Sequence, residues 1–117
     1  MKNAYETIKE LSERFAEIKA KASEGMDDMQ RLLGEYPEEY AAQMDEISNE
    51  IVKLEEGNPF IAMYHPDIVA VTIGIYKTEE EAKEALKEIK DCDVSIKNHM
   101  TCRTICRAKN SEKWIEL

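Results

Sequence analysis

Apolar residues change their period partway along this 117-residue chain, and that change restricts its fold more than any other feature. Up to Tyr36 they recur at alternating spacings of three and four: Met1, Ala4, Ile8, Leu11, Phe15, Ile18, Ala22, then Gly25, Met29, Leu32 and Tyr36. A second stripe with the same rhythm, Tyr40, Met44, Ile47, Ile51 and Leu54, lies between Glu38 and Glu56. Such stripes put apolar side chains along one narrow seam of a helix. After Gly57-Asn58-Pro59 the rhythm becomes alternation, the period of a strand. A chain patterned this way forms helices first and a sheet second.

Gly34 and Pro37 separate the two seamed helices, Gly suiting the left-handed position after a helix and Pro the start of the next. A short loop between two such helices predicts an antiparallel hairpin. One long first helix, interrupted or bent near Gly25, is expected; if it is longer than the second, one of its ends projects beyond helix 2 or covers something else. A stop at Ser23-Glu24-Gly25 followed by a short helix from Met26 to Leu33 is the other option.

In the second half, Phe60 to Tyr64 is a short apolar run, His65-Pro66-Asp67 is turn chemistry, and Ile68 to Tyr76 reads as a strand. Thr78 with Glu81 three residues on forms a capping box opening a helix from Glu79 to Lys90. Val94-Ser95-Ile96 and Met100 to Ala108 read as further strands, with Trp114, Ile115 and Leu117 docking on the core or pairing with a sheet edge. The order is α-α-β-β-α-β-β. The expected fold is α+β, an N-terminal antiparallel helical hairpin packed with a small mixed β-sheet and one crossover helix. It is read as one domain over 1–117, with the hairpin in 1–57 and the ββαββ part in 58–117. The strand, turn and helix of Val71 to Leu86 (VTIGIYKTEEEAKEAL) resemble one step of small repeat domains such as the peptidoglycan-binding SPOR type; any strand–helix unit shares these elements, and no function is carried over from them.

Charge is distributed unevenly. Eleven acidic residues and only Arg31 and Lys53 lie between Glu24 and Glu56, so this stretch carries a formal charge of −9, equal to that of the whole protein. A concentrated acidic field repels nucleic acid and anionic lipid and attracts basic protein surfaces. From Lys97 onward five basic residues outnumber two acidic ones, too weak a footprint for direct nucleic-acid binding beside that field. No apolar run approaches the ~20 residues of a membrane span, and the N-terminus has no apolar leader. Three cysteines without a leader point to reduced thiols and a cytoplasmic location.

No catalytic motif or phosphate-binding loop is present. Cys92, His99, Cys102 and Cys106 lie close in sequence, but with Met100 to Ala108 as a strand the last two thiols stand ~13 Å apart, too far to share a metal ion. No metal or cofactor is therefore expected. The expected function is non-enzymatic protein binding through the acidic helices, with a phage or mobile-element inhibitor of a nucleic-acid-handling enzyme, acting by nucleic-acid mimicry of the anti-CRISPR or anti-restriction type, as its sharpest form. The partner is then a basic protein surface such as that of a nucleic-acid-binding protein. The surface is assigned to Asp27, Asp28, Glu35, Glu38, Glu39, Asp45 and Glu46. The alternative is a small ligand-binding or catalytic domain with a pocket between sheet and helices, examined through Tyr64, His65, Tyr76 and His99. Self-association through the seam of residues 1–36 is a third route.

Overall fold

The computed structural model describes residues 3–117 and has the α+β architecture expected, a helical hairpin followed by a sheet with one helix. Two compact units are formed, residues 7–53 and the remainder. The start of the first helix, up to Glu6, and the end of the third, from Leu54, group with the sheet.

The helical unit contains α1 (Ala4–Ser23), α2 (Asp28–Leu33) and α3 (Glu38–Gly57). Near Gly25 the helix is interrupted and not merely bent: α1 ends at Ser23 and a turn precedes α2, close to the stop and short helix expected as the other option. Asp27 explains the break. Its carboxylate accepts from the N–H of Gln30 at 2.8 Å, and the Gln30 side chain accepts from the N–H of Asp27 at 3.0 Å, so a complete capping box starts a new helix. Without that extra length α1 equals α3 at 20 residues, about 30 Å each. Leu11, Ala22, Met44 and Ile47 of the expected seams are buried; Met29 and Leu32 are not, and Met26 is buried instead. The turn shifts the helical phase, which takes α2 off the seam. Met1 lies outside the described residues.

The second unit carries strands β1 (Phe60–His65), β2 (Val71–Tyr76), β3 (Asp93–Asn98), β4 (Arg103–Arg107) and β5 (Trp114–Glu116), with α4 (Glu79–Leu86) between β2 and β3. Their order is β2-β1-β3-β4-β5. Every neighbouring pair is antiparallel, so the sheet is antiparallel and not mixed. The parallel relation expected across the helix holds between β2 and β3, but β1 lies between them. Both edges of β1 are thus paired, as its nearly continuous apolar sequence requires. The C-terminal tail pairs with the sheet edge as β5.

The core lies between α4 and one face of the sheet, where Ala62, Ala82, Leu86, Val94 and Ile96 are buried and Phe60, Tyr64, Ile73, Tyr76, Ile89, Ile105 and Trp114 pack around them. β2 starts at Val71, three residues later than expected: Ile68 is 94% exposed in the β1–β2 loop. Register slips between Ala62 and Met63, a bulge that leaves Ile73 as the extra residue. At the N-cap of α4, Thr78 Oγ1 accepts from the N–H of Glu81 at 3.1 Å. The helix stops at Leu86, short of the expected Lys90, and the carbonyls of Leu86 and Ile89 accept from the guanidinium of Arg107.

Candidate functional site

All seven carboxylates assigned from sequence belong to the helical unit, and all are exposed. Asp28 pairs with Arg31 at 3.3 Å; among the described residues it is the one member of the set with a Lys or Arg partner. Glu38, Glu39, Asp45 and Glu46 lie on α3 as two pairs seven residues apart. Seven residues make almost two turns, so the pairs share a face about 10 Å apart along the axis. The buried Met44 and Ile47 occupy the opposite side.

Local structure accounts for part of this charge. Asp27 caps α2 and Asp28 stands in its first turn. Glu38 and Glu39 fill the first turn of α3, where negative charge offsets the partial positive charge of the helix end. Glu35, Asp45 and Glu46 have no such duty: Glu35 lies in the loop between α2 and α3, and the other two lie mid-helix. These three are what folding alone does not explain.

The same stretch carries exposed apolar residues, of which Met29 and Leu32, but not Leu33, belong to the expected helix seam. Met29, Leu32 and Leu33 are 62%, 81% and 60% exposed, and α2 buries none of its six residues. Its backbone is nonetheless tied down at both ends. After Leu33, Gly34 takes the left-handed conformation at φ 70°, and the N–H of Glu35 donates to the Gln30 carbonyl at 2.9 Å. Arg31 Nε donates to the Ser23 carbonyl at 3.2 Å, linking α2 to the end of α1. The signal in the sequence is the i, i+3, i+4 spacing of the triad together with the capping box one residue ahead of α2.

The four polar groups considered for a ligand site do not converge. Tyr64 and Tyr76 pack on the α4 side of the sheet. His99 Nε2 lies 2.8 Å from the Glu55 carbonyl at the end of α3. His65 Nε2 lies 2.8 Å from Ser95 Oγ on the sheet face away from α4, beside an apolar concavity of about 550 Å³ bordered by Met63, Cys106, Ile115 and Leu117. That concavity is lined by residues of the sheet unit alone.

Cys102 is not on a strand: it ends the β3–β4 turn, exposed, at φ 62°, and β4 begins after it. All three cysteines are free thiols. Among the described residues no three His, Cys, Asp or Glu side chains come together as metal ligands do. Among the described residues, no helix is long and apolar enough to cross a membrane.

Comparison with protein-family models, with curated proteins and with solved structures found no match to this chain.

Proposed function

We propose that this chain is a non-enzymatic protein-binding module, that its working surface is the acidic part of the helical unit, and that its partner is a basic protein surface. The sharpest form of the reading is an inhibitor that occupies the anion-binding site of a nucleic-acid-handling enzyme. The supporting observation is that seven carboxylates grouped in the sequence are all exposed, while among the described residues Asp28 is the one of them with a Lys or Arg partner. Unneutralised surface charge steers a basic partner and speeds encounter in a salt-dependent way. The test is titration of the protein into basic DNA- and RNA-binding domains at low and high salt, with the triple substitution Glu35→Lys, Asp45→Lys and Glu46→Lys alongside. Binding that weakens with salt, is lost in the triple variant and is competed by nucleic acid supports the inhibitor form. Equal affinity of wild type and triple variant for every domain bound rejects the acidic surface as the working one.

A second reading rests on the sheet unit. The apolar concavity beside His65 and Ser95 has the size and lining of a small-molecule site. It makes the chain a ligand-binding domain for a compact apolar molecule with one hydrogen-bonding group. Loss of binding to an apolar fluorescent probe on Cys106→Trp, which fills the concavity, supports this reading; unchanged binding rejects it.

A further inference from the structure

We infer that α2 is the anchor of the binding surface, and that the partner presents an apolar groove bordered by lysine or arginine into which Met29, Leu32 and Leu33 insert. The inference rests on the acidic-surface reading and adds a contact that charge alone does not require. Phosphate mimicry calls for carboxylates; it has no use for three large apolar side chains held in water.

Leaving them largely exposed forgoes the stabilisation that their burial in the core would give. The chain nevertheless holds α2 in one shape through the Asp27–Gln30 box, the left-handed Gly34 and the Arg31 bond to Ser23. A six-residue helix is far too short to persist alone. Here it is ordered from both ends with none of its six residues buried, so its three side chains are presented without a further backbone ordering cost on binding. Met29, Leu32 and Leu33 stand at i, i+3 and i+4, one face of a helix. A few central apolar anchors inside a charged rim is the anatomy of a protein interface.

The rim decides the occupant. Asp27 and Asp28 precede the triad in sequence, and Glu35, Glu38 and Glu39 follow it. This excess of negative charge opposes an anionic lipid surface. It also opposes a second copy, because a two-fold contact would set each acidic rim against its own image. A groove with basic edges satisfies both the apolar face and the charge.

The test uses two synthetic helical peptides of equal positive charge, one with Leu at the i, i+3, i+4 and i+7 spacing of a helix face and Lys elsewhere, the other with every Leu replaced by Ser. Each is titrated into the isotope-labelled full chain and followed by NMR. The expected result is that the Lys/Leu peptide binds, that the largest shifts fall on residues 28–35, and that Leu32→Asp weakens it about tenfold. The slope of affinity against salt stays unchanged in the neutral variant Leu32→Ala and becomes shallower in Glu35→Lys. Because Leu32 is 81% exposed, Leu32→Asp is expected to fold; Leu32→Ala serves as the milder control. Equal binding of the Lys/Ser peptide overturns the anchor and leaves the acidic surface standing. Binding by neither peptide overturns both. Shifts centred away from α2, or capture by anionic vesicles in preference to the peptide, overturn the anchor.

Discussion

Arg107 lies with its guanidinium carbon 5.4 Å from the ring centre of Trp114, its cross-strand partner on β5. Arg107 is 5% exposed and donates to the carbonyls of Leu86, the last residue of α4, and of Ile89 just beyond it. A buried cation is costly unless paired, and among the described residues no carboxylate forms an ion pair with it. The partial negative charge at the helix end and the face of the indole take that role. One residue therefore ties β4, β5 and the end of α4 together.

Arg107→Met keeps much of the volume and loses both hydrogen bonds, leaving helix-end carbonyls without a donor. Each charge-assisted bond contributes about 1.5–3 kcal/mol, so urea unfolding is expected to show a loss in that range or above. Arg107→Lys is expected not to recover it, because an ammonium lacks the planar fork and the flat face that stacks on Trp114. Full stability in Arg107→Lys removes the case for fork geometry.

Gly74 is fixed by close approach and not by its backbone angles. A Cβ built there would stand 2.5 Å from Asn3 Nδ2 and 2.7 Å from Tyr76 Oη. Asn3 Oδ1 in turn accepts from the N–H groups of Tyr5 at 2.8 Å and Ile75 at 3.3 Å, so Asn3 both opens α1 and covers the edge of β2. The atoms met are the ends of side chains that can swing aside, so Gly74→Ala is expected to cost about 0.5–1.5 kcal/mol for each Asn3 hydrogen bond displaced. In a double-mutant cycle Asn3→Ala is expected to cost less in the Gly74→Ala background than alone, because the first change already displaces Asn3. Additive losses contradict the shared contact.

Tyr76 gives the same corner a pH signature. Burial raises its phenol above the ordinary 10.0 and Glu6 adds to the rise, while the hydrogen bond from Asn3 opposes it. The folded state therefore favours the neutral phenol. Its contribution is fully present below the unfolded value and is lost as pH climbs from there through the folded one. Stability is expected to fall more steeply in wild type than in Tyr76→Phe above pH ~10. Parallel curves for the two proteins exclude a contribution from this phenol.

Most of the architecture is legible in the sequence because two periods and a few breakers carry it: the seams of α1 and α3, the stop at Gly57-Asn58-Pro59, the Thr78 cap. What is not legible depends on contacts distant in sequence. The pairing of β1 with both β2 and β3 follows from no local pattern, and Ile68 and Val69 look like strand residues until the register with β1 excludes them. α4 ends at Leu86 although its apolar pattern continues to Ile89, because Arg107, some twenty residues later, caps it. At the candidate surface, the clustering of acids is evident from sequence. The exposure of Met29 and Leu32 is not, since both continue the α1 rhythm and only the Asp27 cap takes them off it.

Cys102 ends a four-residue turn in a left-handed conformation, its N–H donating to the Asn98 carbonyl at 2.8 Å. That conformation costs a side-chain-bearing residue about 1–2 kcal/mol, part of which glycine returns as greater freedom when unfolded. Cys102→Gly is expected to stabilise the protein by up to about 1 kcal/mol. Cys102→Val is expected to destabilise it, since branching at Cβ worsens the same crowding. Thermal unfolding of both under reducing conditions checks the pair; the opposite order refutes the strain.

The division of the acidic residues by local duty predicts a split between folding and binding. Glu38 and Glu39 occupy the first turn of α3 and favour that helix end by roughly 0.3–1 kcal/mol each. Their replacement by Lys is expected to lower stability as well as affinity for a basic partner. Glu35, Asp45 and Glu46 lie outside any helix's first turn, and each adds repulsion to a crowded negative field. The triple change of these three to Lys is expected to leave the unfolding midpoint unchanged or raise it at low salt, with the gain shrinking as salt is added. Side-by-side urea titrations of the two variants at several salt concentrations provide the check. A triple variant that unfolds earlier than wild type assigns these carboxylates to the fold and removes the stability-based argument that they serve a partner.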